Sequence, residues 1–232
     1  EDGENYGNLP KGLIPFHYYG AYMATAFEEH LHEAAAYAAK NGQADLHFTV
    51  SPEHKEAFEK EFETIHASVS NTTNVNFNVD YSFQKPETDT VAVTMDNKLY
   101  RKGDGSLLFR PGGHGALIEN LNDVDADVVF IKNIDNVLVQ DKIQVLSRTK
   151  RFLAGLLLKK QESVFKYAEL LDKDSISEGE LEELVTFLKE DFSTRIDEAY
   201  ASFSIEDKKS YLKELLDRPI RVCGMVKNEG EP

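Results

Sequence analysis

The sequence has 232 residues, 41% of them hydrophobic and 10% aromatic, so it can bury the core of one large domain or of one domain with an added lobe. Acidic residues outnumber basic ones by 41 to 26, and the resulting charge of -15 disfavours nucleic acid and anionic membranes as partners, because such a field repels phosphate. A single cysteine and the lack of a long apolar run exclude an internal disulfide and a membrane-spanning helix, so we expect a cytoplasmic protein.

The first part of the chain alternates helix and strand signals. Thr25 and Glu28 form a capping box that predicts the start of a helix, and Asn41-Gly42 predicts its end. A short apolar strand is predicted at 46–50. Ser51-Pro52 then predicts the start of a second helix, and strict alternation of apolar and polar residues predicts a half-buried strand over 75–83.

The middle of the chain continues this pattern. Residues 91–95 predict a strand, and Lys102-Gly103-Asp104-Gly105 predicts the turn of a hairpin. A short helix is predicted at 116–121. The nearly continuous apolar run at 126–131 predicts a central parallel strand that is covered on both faces. Strands that alternate with helices indicate an α/β sheet.

The pattern becomes entirely helical over 141–217, where Ser177 and Ser204 are predicted to cap two of the helices. Residues 220–226 predict a strand in which Cys223 packs as a small apolar side chain. We therefore expect an α/β core over 9–140, a helical lobe over 141–217 and a strand that returns to the core over 218–230.

Two turns are candidates for a binding site. The glycine-rich turn Pro111-Gly112-Gly113-His114-Gly115 precedes a predicted helix, where backbone N–H groups can approach a ligand closely; the alternative is a tight turn with no ligand. Asp135 and Asn136 follow the predicted central strand, at the end of a sheet where ligands bind. Asp135 suits Mg²⁺ as a hard oxygen ligand, and the alternative is an Asp-Asn turn that ends the strand.

Three further polar residues are candidates for a binding or metal site. Lys11 lies between Pro10 and Gly12, and a lysine on such a stiffened segment can hold a fixed charge against phosphates; alternatively it is an ordinary surface lysine. His30 and His32 are two positions apart and point to different faces of a helix, so we predict two surface histidines and not a shared metal site.

These segments occur in the order found in a known family. Pro10-Lys11-Gly12, Phe83-Gln84, Pro111 to Gly115 and the run from Ile134 to Val139 resemble the P-K-G, F-x-Q, P-x-G-x-G and V-D-N-I-L-V segments of the UDP-sugar pyrophosphorylases. The resemblance covers residues 9–139 and 222–230, and the helical lobe lies outside it. The whole chain also looks like an uncharacterised bacterial family, a domain of unknown function related to these enzymes.

The resemblance implies a Rossmann-like GT-A type nucleotidyltransferase sheet with an inserted helical lobe. It also implies Mg²⁺-dependent transfer of a nucleotidyl group from a nucleoside triphosphate, UTP above all, to a sugar 1-phosphate. Lys11 would contact the phosphates and Asp135 would hold Mg²⁺, and Asn136 would face the sugar. The residues implied to line the nucleobase and ribose are Gln84, Gly112, Gly113, His114 and Gly115.

The chain departs from the family pattern in front of Pro10. The pyrophosphorylases carry a G-x-G-T-R loop there that holds the triphosphate, whereas residues 1–8 contain only Gly3 and Gly7. We expect that loop either to lie upstream of Glu1 in a longer parent chain or to have been lost. Two alternatives to an enzyme stay open: a non-catalytic module that binds sugar nucleotides or regulates, and a structural α/β domain whose motifs are only turns.

Overall fold

The computed structural model describes residues 6–225, 227, 229 and 230. Over these residues the chain is mixed α/β, with three two-stranded sheets and six α-helices. It forms two compact units that divide between Arg148 and Thr149. The strands are β1 (Pro15–Tyr18), β2 (Met23–Thr25), β3 (Gln43–Thr49), β4 (Asn76–Ser82), β5 (Thr90–Val91) and β6 (Phe109–Arg110). The helices are α1 (Ala26–Tyr37), α2 (Lys55–Thr73), α3 (Ile118–Asn122), α4 (Ile143–Leu171), α5 (Glu178–Phe192) and α6 (Ile205–Leu216).

A parallel strand–helix–strand unit lies at the centre of the first unit. β3 pairs with β4 in parallel from Gln43↔Asn76 to Thr49↔Ser82, and α2 makes the crossover between them. The predicted strands at 46–50 and 75–83 are thereby confirmed. The carboxyl ends of both strands, at Thr49 and Ser82, lie side by side at one edge of this small sheet.

Helix α1 packs against this unit through aromatic rings. The predicted cap is confirmed, since the Thr25 side chain accepts a hydrogen bond from the backbone N–H of Glu28. Phe27, which is fully buried, has its ring centroid 4.8 Å from that of Phe48 on β3 and 5.4 Å from that of Phe58 on α2. The three rings form the core that joins α1, β3 and α2.

The predicted hairpin is also present. β5 and β6 are antiparallel, and the isolated bridges Val93↔Leu99 and Arg101↔Leu107 pair the segment between them with the chain on either side. Gly105 has a φ of +82°, a conformation that glycine adopts without the steric penalty of a Cβ, and it closes the predicted turn. Chain reversal here therefore follows from local turn chemistry.

The prediction of a central strand at 126–131 is wrong. These residues form no strand, and the side chains of Val129 and Ile131 are exposed. The run is held by side-chain contacts with α1 instead of a backbone ladder: the Phe130 ring lies 5.0 Å from that of Tyr37, and Lys132 is paired with Glu33. The parallel sheet in the described residues consequently has two strands, fewer than the predicted α/β sheet with a central strand at 126–131.

The second unit is helical, and its core consists mostly of leucines. The predicted caps are confirmed at Ser177, which forms a reciprocal capping box with Glu180, and at Ser204, which accepts from the N–H of Asp207. The buried residues of this core come from α4, α5 and α6, and they are Val164, Leu171, Leu181, Leu184, Leu188, Leu212 and Leu216.

The predicted strand at 220–226 is not formed over residues 220–225, and Val226 lies outside the described residues. Cys223 is exposed and does not pack in an apolar strand as predicted. Without a neighbouring strand to pair with, this apolar stretch has no ladder in which to take part. Among the described residues, none of the helices combines the length and apolar character needed to cross a membrane.

Candidate functional site

Lys11 and Asp135, predicted from separate motifs, meet in the folded chain. The Nζ atom of Lys11 donates to Oδ2 of Asp135 at 2.6 Å across 124 positions of sequence. Both side chains remain accessible, with exposed fractions of 68% and 37%. An exposed pair of this kind adds little to stability, because water screens it, but a ligand can reach it.

Gly12 explains why the two segments come so close. A Cβ at this buried position would lie 2.7 Å from the Phe58 ring and 3.0 Å from Cγ1 of Ile134. The chain therefore passes closely over the aromatic core and beside the residue that precedes Asp135. The absence of a side chain at Gly12 allows Lys11 to be placed next to that carboxylate.

The Asp135 carboxyl is held in its charged form. Its pKa is lowered from the usual value, mainly by the hydrogen bond from Lys11, and the charge of His114 contributes in the same direction. The hydrogen bond from Lys11 therefore favours the charged form of this carboxylate.

Buried polar groups of α1 hold the segment that carries Asp135. Nε2 of His30 lies 3.1 Å from the carbonyl oxygen of Ile134. Glu33 is fully buried, is paired with the Lys132 ammonium and accepts from the backbone N–H of Leu138 at 3.4 Å. The ends and the middle of residues 132–138 are thus attached to one helix face.

The prediction of two surface histidines on α1 is wrong. His30 and His32 are each only 9% exposed, and the burial of His30 lowers its pKa from the usual value. Glu28, Glu29 and Glu33 of the same helix are buried as well. The reason is that this helix is covered on its polar side too, by the segments that precede it and by residues 132–140.

Gln84 and Gly112 form a second part of the candidate site. A Cβ on Gly112 would lie 3.6 Å from Nε2 of Gln84, and also 2.9 Å from Cβ of Ala116 and 3.0 Å from the carbonyl oxygen of Thr88. Nε2 of Gln84 donates to Oδ1 of Asp89 at 3.3 Å. Because a carboxylate only accepts, this contact fixes which end of the amide faces Asp89 and leaves Oε1 to accept from a ligand.

The other predicted site residues are open to a ligand. A Cβ at Gly113 or at Gly115 would have nothing within 4 Å, and His114 and Asn136 are exposed. The backbone N–H of Asn136 donates to the carbonyl oxygen of Asn133 at 3.2 Å and closes the turn around Asp135. The structure thus brings Lys11 and Asp135 together and brings Gln84 together with Gly112.

Residue patterns did not identify Asn120 as part of this region. It is 4% exposed on the short helix α3, and its Nδ2 atom donates to Ser82 Oγ at 2.9 Å and to the carbonyl oxygen of Phe83 at 2.7 Å. An asparagine inside a short polar helix gives no sequence signal for such contacts. Its connection to the site is seen only in the folded chain, where it bonds to Ser82 and Phe83, directly before Gln84.

The donor set fits Mg²⁺ only in part. Asp135 supplies one hard, ionised oxygen ligand, but in the part of the chain that the structure describes no three His, Cys, Asp or Glu residues are grouped so as to hold a metal ion. Mg²⁺ commonly takes one or two carboxylates, several waters and substrate phosphates. Asp135 therefore fits a Mg²⁺ site that phosphate oxygens complete.

Comparison with known proteins places the chain in a family. The family model for a domain of unknown function, DUF4301, matches residues 1–232, and the chain belongs to this family. Neither the curated proteins nor the solved structures include a match to the chain.

Proposed function

We propose that the protein is a nucleotidyltransferase that uses Mg²⁺ and transfers a nucleotidyl group from a nucleoside triphosphate to a sugar 1-phosphate. UTP is the preferred donor in this proposal. The contact between Lys11 and Asp135 is the observation that supports the proposal most, because it joins an accessible cation and an accessible carboxylate from distant segments. The parallel β3–α2–β4 unit agrees with a reduced form of the GT-A type sheet that the motif order implies.

The reaction requires little covalent chemistry from the protein. An oxygen of the sugar phosphate is already anionic and attacks the α-phosphorus; a new P–O bond forms there, the bond to the bridging oxygen of the β-phosphate breaks, and pyrophosphate leaves. Asp135 would hold Mg²⁺, which would supply positive charge against the phosphates. Lys11 supplies a positive charge in a chain whose net charge is -15.

The two parts of the site divide the work in this proposal. Lys11 and Asp135 serve the phosphates, and Gln84 presents its Oε1 atom to an N–H group of the base beside Gly112. Asn136, exposed next to Asp135, faces the sugar. A ligand that takes the ammonium group of Lys11 away from Asp135 leaves that carboxylate free to accept a cation.

The first experiment measures binding. UTP, CTP, GTP, ATP and UDP-glucose are titrated into the full chain by calorimetry, with and without Mg²⁺. We expect tightest binding for a uridine nucleotide with Mg²⁺, and at 100-fold excess over Kd a gain in the free energy of unfolding of about 2.7 kcal/mol. Lys11→Ala should weaken this binding at least tenfold, whereas Lys166→Ala, which breaks another exposed lysine–carboxylate pair, should not. Absence of binding by every nucleotide would overturn the proposal.

A non-catalytic module that binds sugar nucleotides is the second candidate. It is supported by the same two contacts, Lys11 with Asp135 and Gln84 beside Gly112, because both can serve nucleotide binding without turnover. This candidate predicts the same binding results without turnover. An assay that detects exchange of labelled pyrophosphate into UTP in the presence of a sugar 1-phosphate therefore separates the two.

A further inference from the structure

Asn120 connects the two segments that the proposed function assigns to the nucleobase. Its Nδ2 atom bonds to Ser82 Oγ, at the last residue of β4, and to the carbonyl oxygen of Phe83. Because a carbonyl oxygen only accepts, the amide nitrogen must face Phe83, so the orientation of the side chain is fixed. The next residue along the chain is Gln84.

The other end of the connection is the glycine-rich turn. A short 3-10 helix, His114–Leu117, leads directly into α3, so that Asn120 stands on the element that this turn begins. Gly112 in turn lies beside Gln84. Asn120 thus fastens α3, the helix that follows the glycine-rich turn, to the end of β4, directly before Gln84.

The burial of Asn120 indicates that the two hydrogen bonds it donates are needed to hold the segment at Ser82 and Phe83 in place. The residue is 4% exposed, and its Oδ1 atom is buried with no hydrogen-bond partner among the described residues. An amide that leaves a buried acceptor unpaired is an unfavourable choice for filling space, and an apolar side chain would fill it better. Compared with an apolar side chain, the amide contributes the two hydrogen bonds to Ser82 and Phe83.

A second contact joins the same elements but is exposed. Lys85 Nζ lies 2.6 Å from Oδ2 of Asp123, the residue after α3, and the side chains are 38% and 60% exposed. Water and salt screen such a pair far more than the buried Asn120 bonds. It therefore provides a matched control for contacts between these elements.

We propose that Asn120 is a positioning residue that holds Gln84 opposite Gly112 and thereby sets the base selectivity of the site, an inference that rests on the proposed nucleotide binding. Asn120→Asp preserves size and shape but replaces the donor with an acceptor that faces the carbonyl oxygen of Phe83. The phosphate-binding part of the site, Lys11 and Asp135, is untouched by this change.

The test measures the Kd values of UTP, CTP, GTP and inorganic pyrophosphate, each with Mg²⁺, for the wild-type chain and the variants Asn120→Asp, Asn120→Ala, Ser82→Ala and Asp123→Asn. For both Asn120 variants we expect UTP binding to weaken at least tenfold. The ratio between the largest and the smallest Kd among the three nucleotides should shrink by a similar factor. Pyrophosphate should bind within twofold of wild type. Ser82→Ala, which removes one of the two bonds and serves if the Asn120 variants fail to fold, should weaken UTP two- to fivefold, and Asp123→Asn should have no effect.

The outcomes separate this inference from the proposed function. Unchanged UTP affinity and selectivity in folded Asn120 variants would overturn the positioning role and leave the proposed function standing. Equal losses for UTP and pyrophosphate would also overturn it, because they would indicate general loosening. A wild-type chain that binds no nucleotide would overturn both.

Discussion

The Nε2 atom of His30 lies 3.1 Å from the carbonyl oxygen of Ile134, the residue directly before Asp135. Since the carbonyl only accepts, Nε2 carries the proton and donates, and the neutral ring has its other nitrogen unprotonated. A buried helix side chain therefore fixes the backbone next to the candidate metal ligand. This contact ties the position of Asp135 to α1.

Acid should destabilise the protein through His30. Burial lowers its folded-state pKa, with the neighbouring Lys132 acting in the same direction and Glu33 opposing, whereas an unfolded histidine has a pKa of about 6.5. Below that pH the unfolded chain binds more protons, so the free energy of unfolding falls as the pH drops from about 6.5 towards the lowered folded value. Urea unfolding between about pH 7.5 and about pH 5 measures this.

The matched variants are His30→Gln, which can still donate to the carbonyl but does not titrate, and His66→Gln on the exposed face of α2. The first should flatten the pH dependence, and the second should leave it as in wild type. Equal pH dependence in wild type and His30→Gln would contradict the assignment.

Glu33→Ala should be strongly destabilising. The carboxylate is fully buried, pairs with the largely buried Lys132 and accepts from Tyr37 and from the N–H of Leu138. Removing one partner of a buried ion pair leaves a poorly compensated charge, and we expect a loss of about 3–5 kcal/mol in the free energy of unfolding. Glu162→Ala, which breaks an exposed pair with Lys166, should change stability little. A loss below about 1 kcal/mol for Glu33→Ala would show that α1 does not hold the Asp135 segment.

The three glycines of the turn should respond differently to alanine. Gly112→Ala must displace Ala116 or the backbone of Thr88, so we expect a loss of about 1–3 kcal/mol in stability. At Gly113 and Gly115 a Cβ meets nothing within 4 Å, and thermal unfolding of these variants should match wild type. If their backbone lines the base, both should nevertheless bind UTP more weakly by calorimetry. Wild-type affinity in both would remove them from the site.

Local signals predicted much of the secondary structure. The caps at Thr25, Ser177 and Ser204 each satisfy a backbone N–H through a side chain nearby in sequence, and the hairpin turn needs only a glycine at position 105. Such features depend on a few adjacent residues. For the same reason they could be predicted without knowledge of the tertiary structure.

The wrong predictions concern residues whose structure and burial depend on tertiary contacts. The apolar run at 126–131 has the composition of a buried strand, but Phe130 packs on Tyr37 and Lys132 pairs with Glu33, so its neighbours are helix side chains. His30 has the spacing of a surface residue on a polar helix face. It is buried because residues 132–138 pack against this helix in the folded chain. Motifs identified Lys11 and Asp135 separately, whereas their direct contact depends on packing at Gly12.

The most direct test of the central claim is exchange of labelled pyrophosphate into UTP by the full chain with Mg²⁺ and glucose 1-phosphate, since direct attack by the sugar phosphate gives no exchange when that substrate is missing. Its variants are Lys11→Ala, Asp135→Ala, the swapped pair Lys11→Asp with Asp135→Lys, and Lys166→Ala as control. We predict measurable exchange for wild type and control, and a loss of at least about 100-fold for the single variants, in the range of lost electrostatic stabilisation of a transition state. The swapped pair can restore the ion pair but should not restore exchange. Exchange that is undiminished in both single variants, or that returns in the swapped pair, would contradict the account.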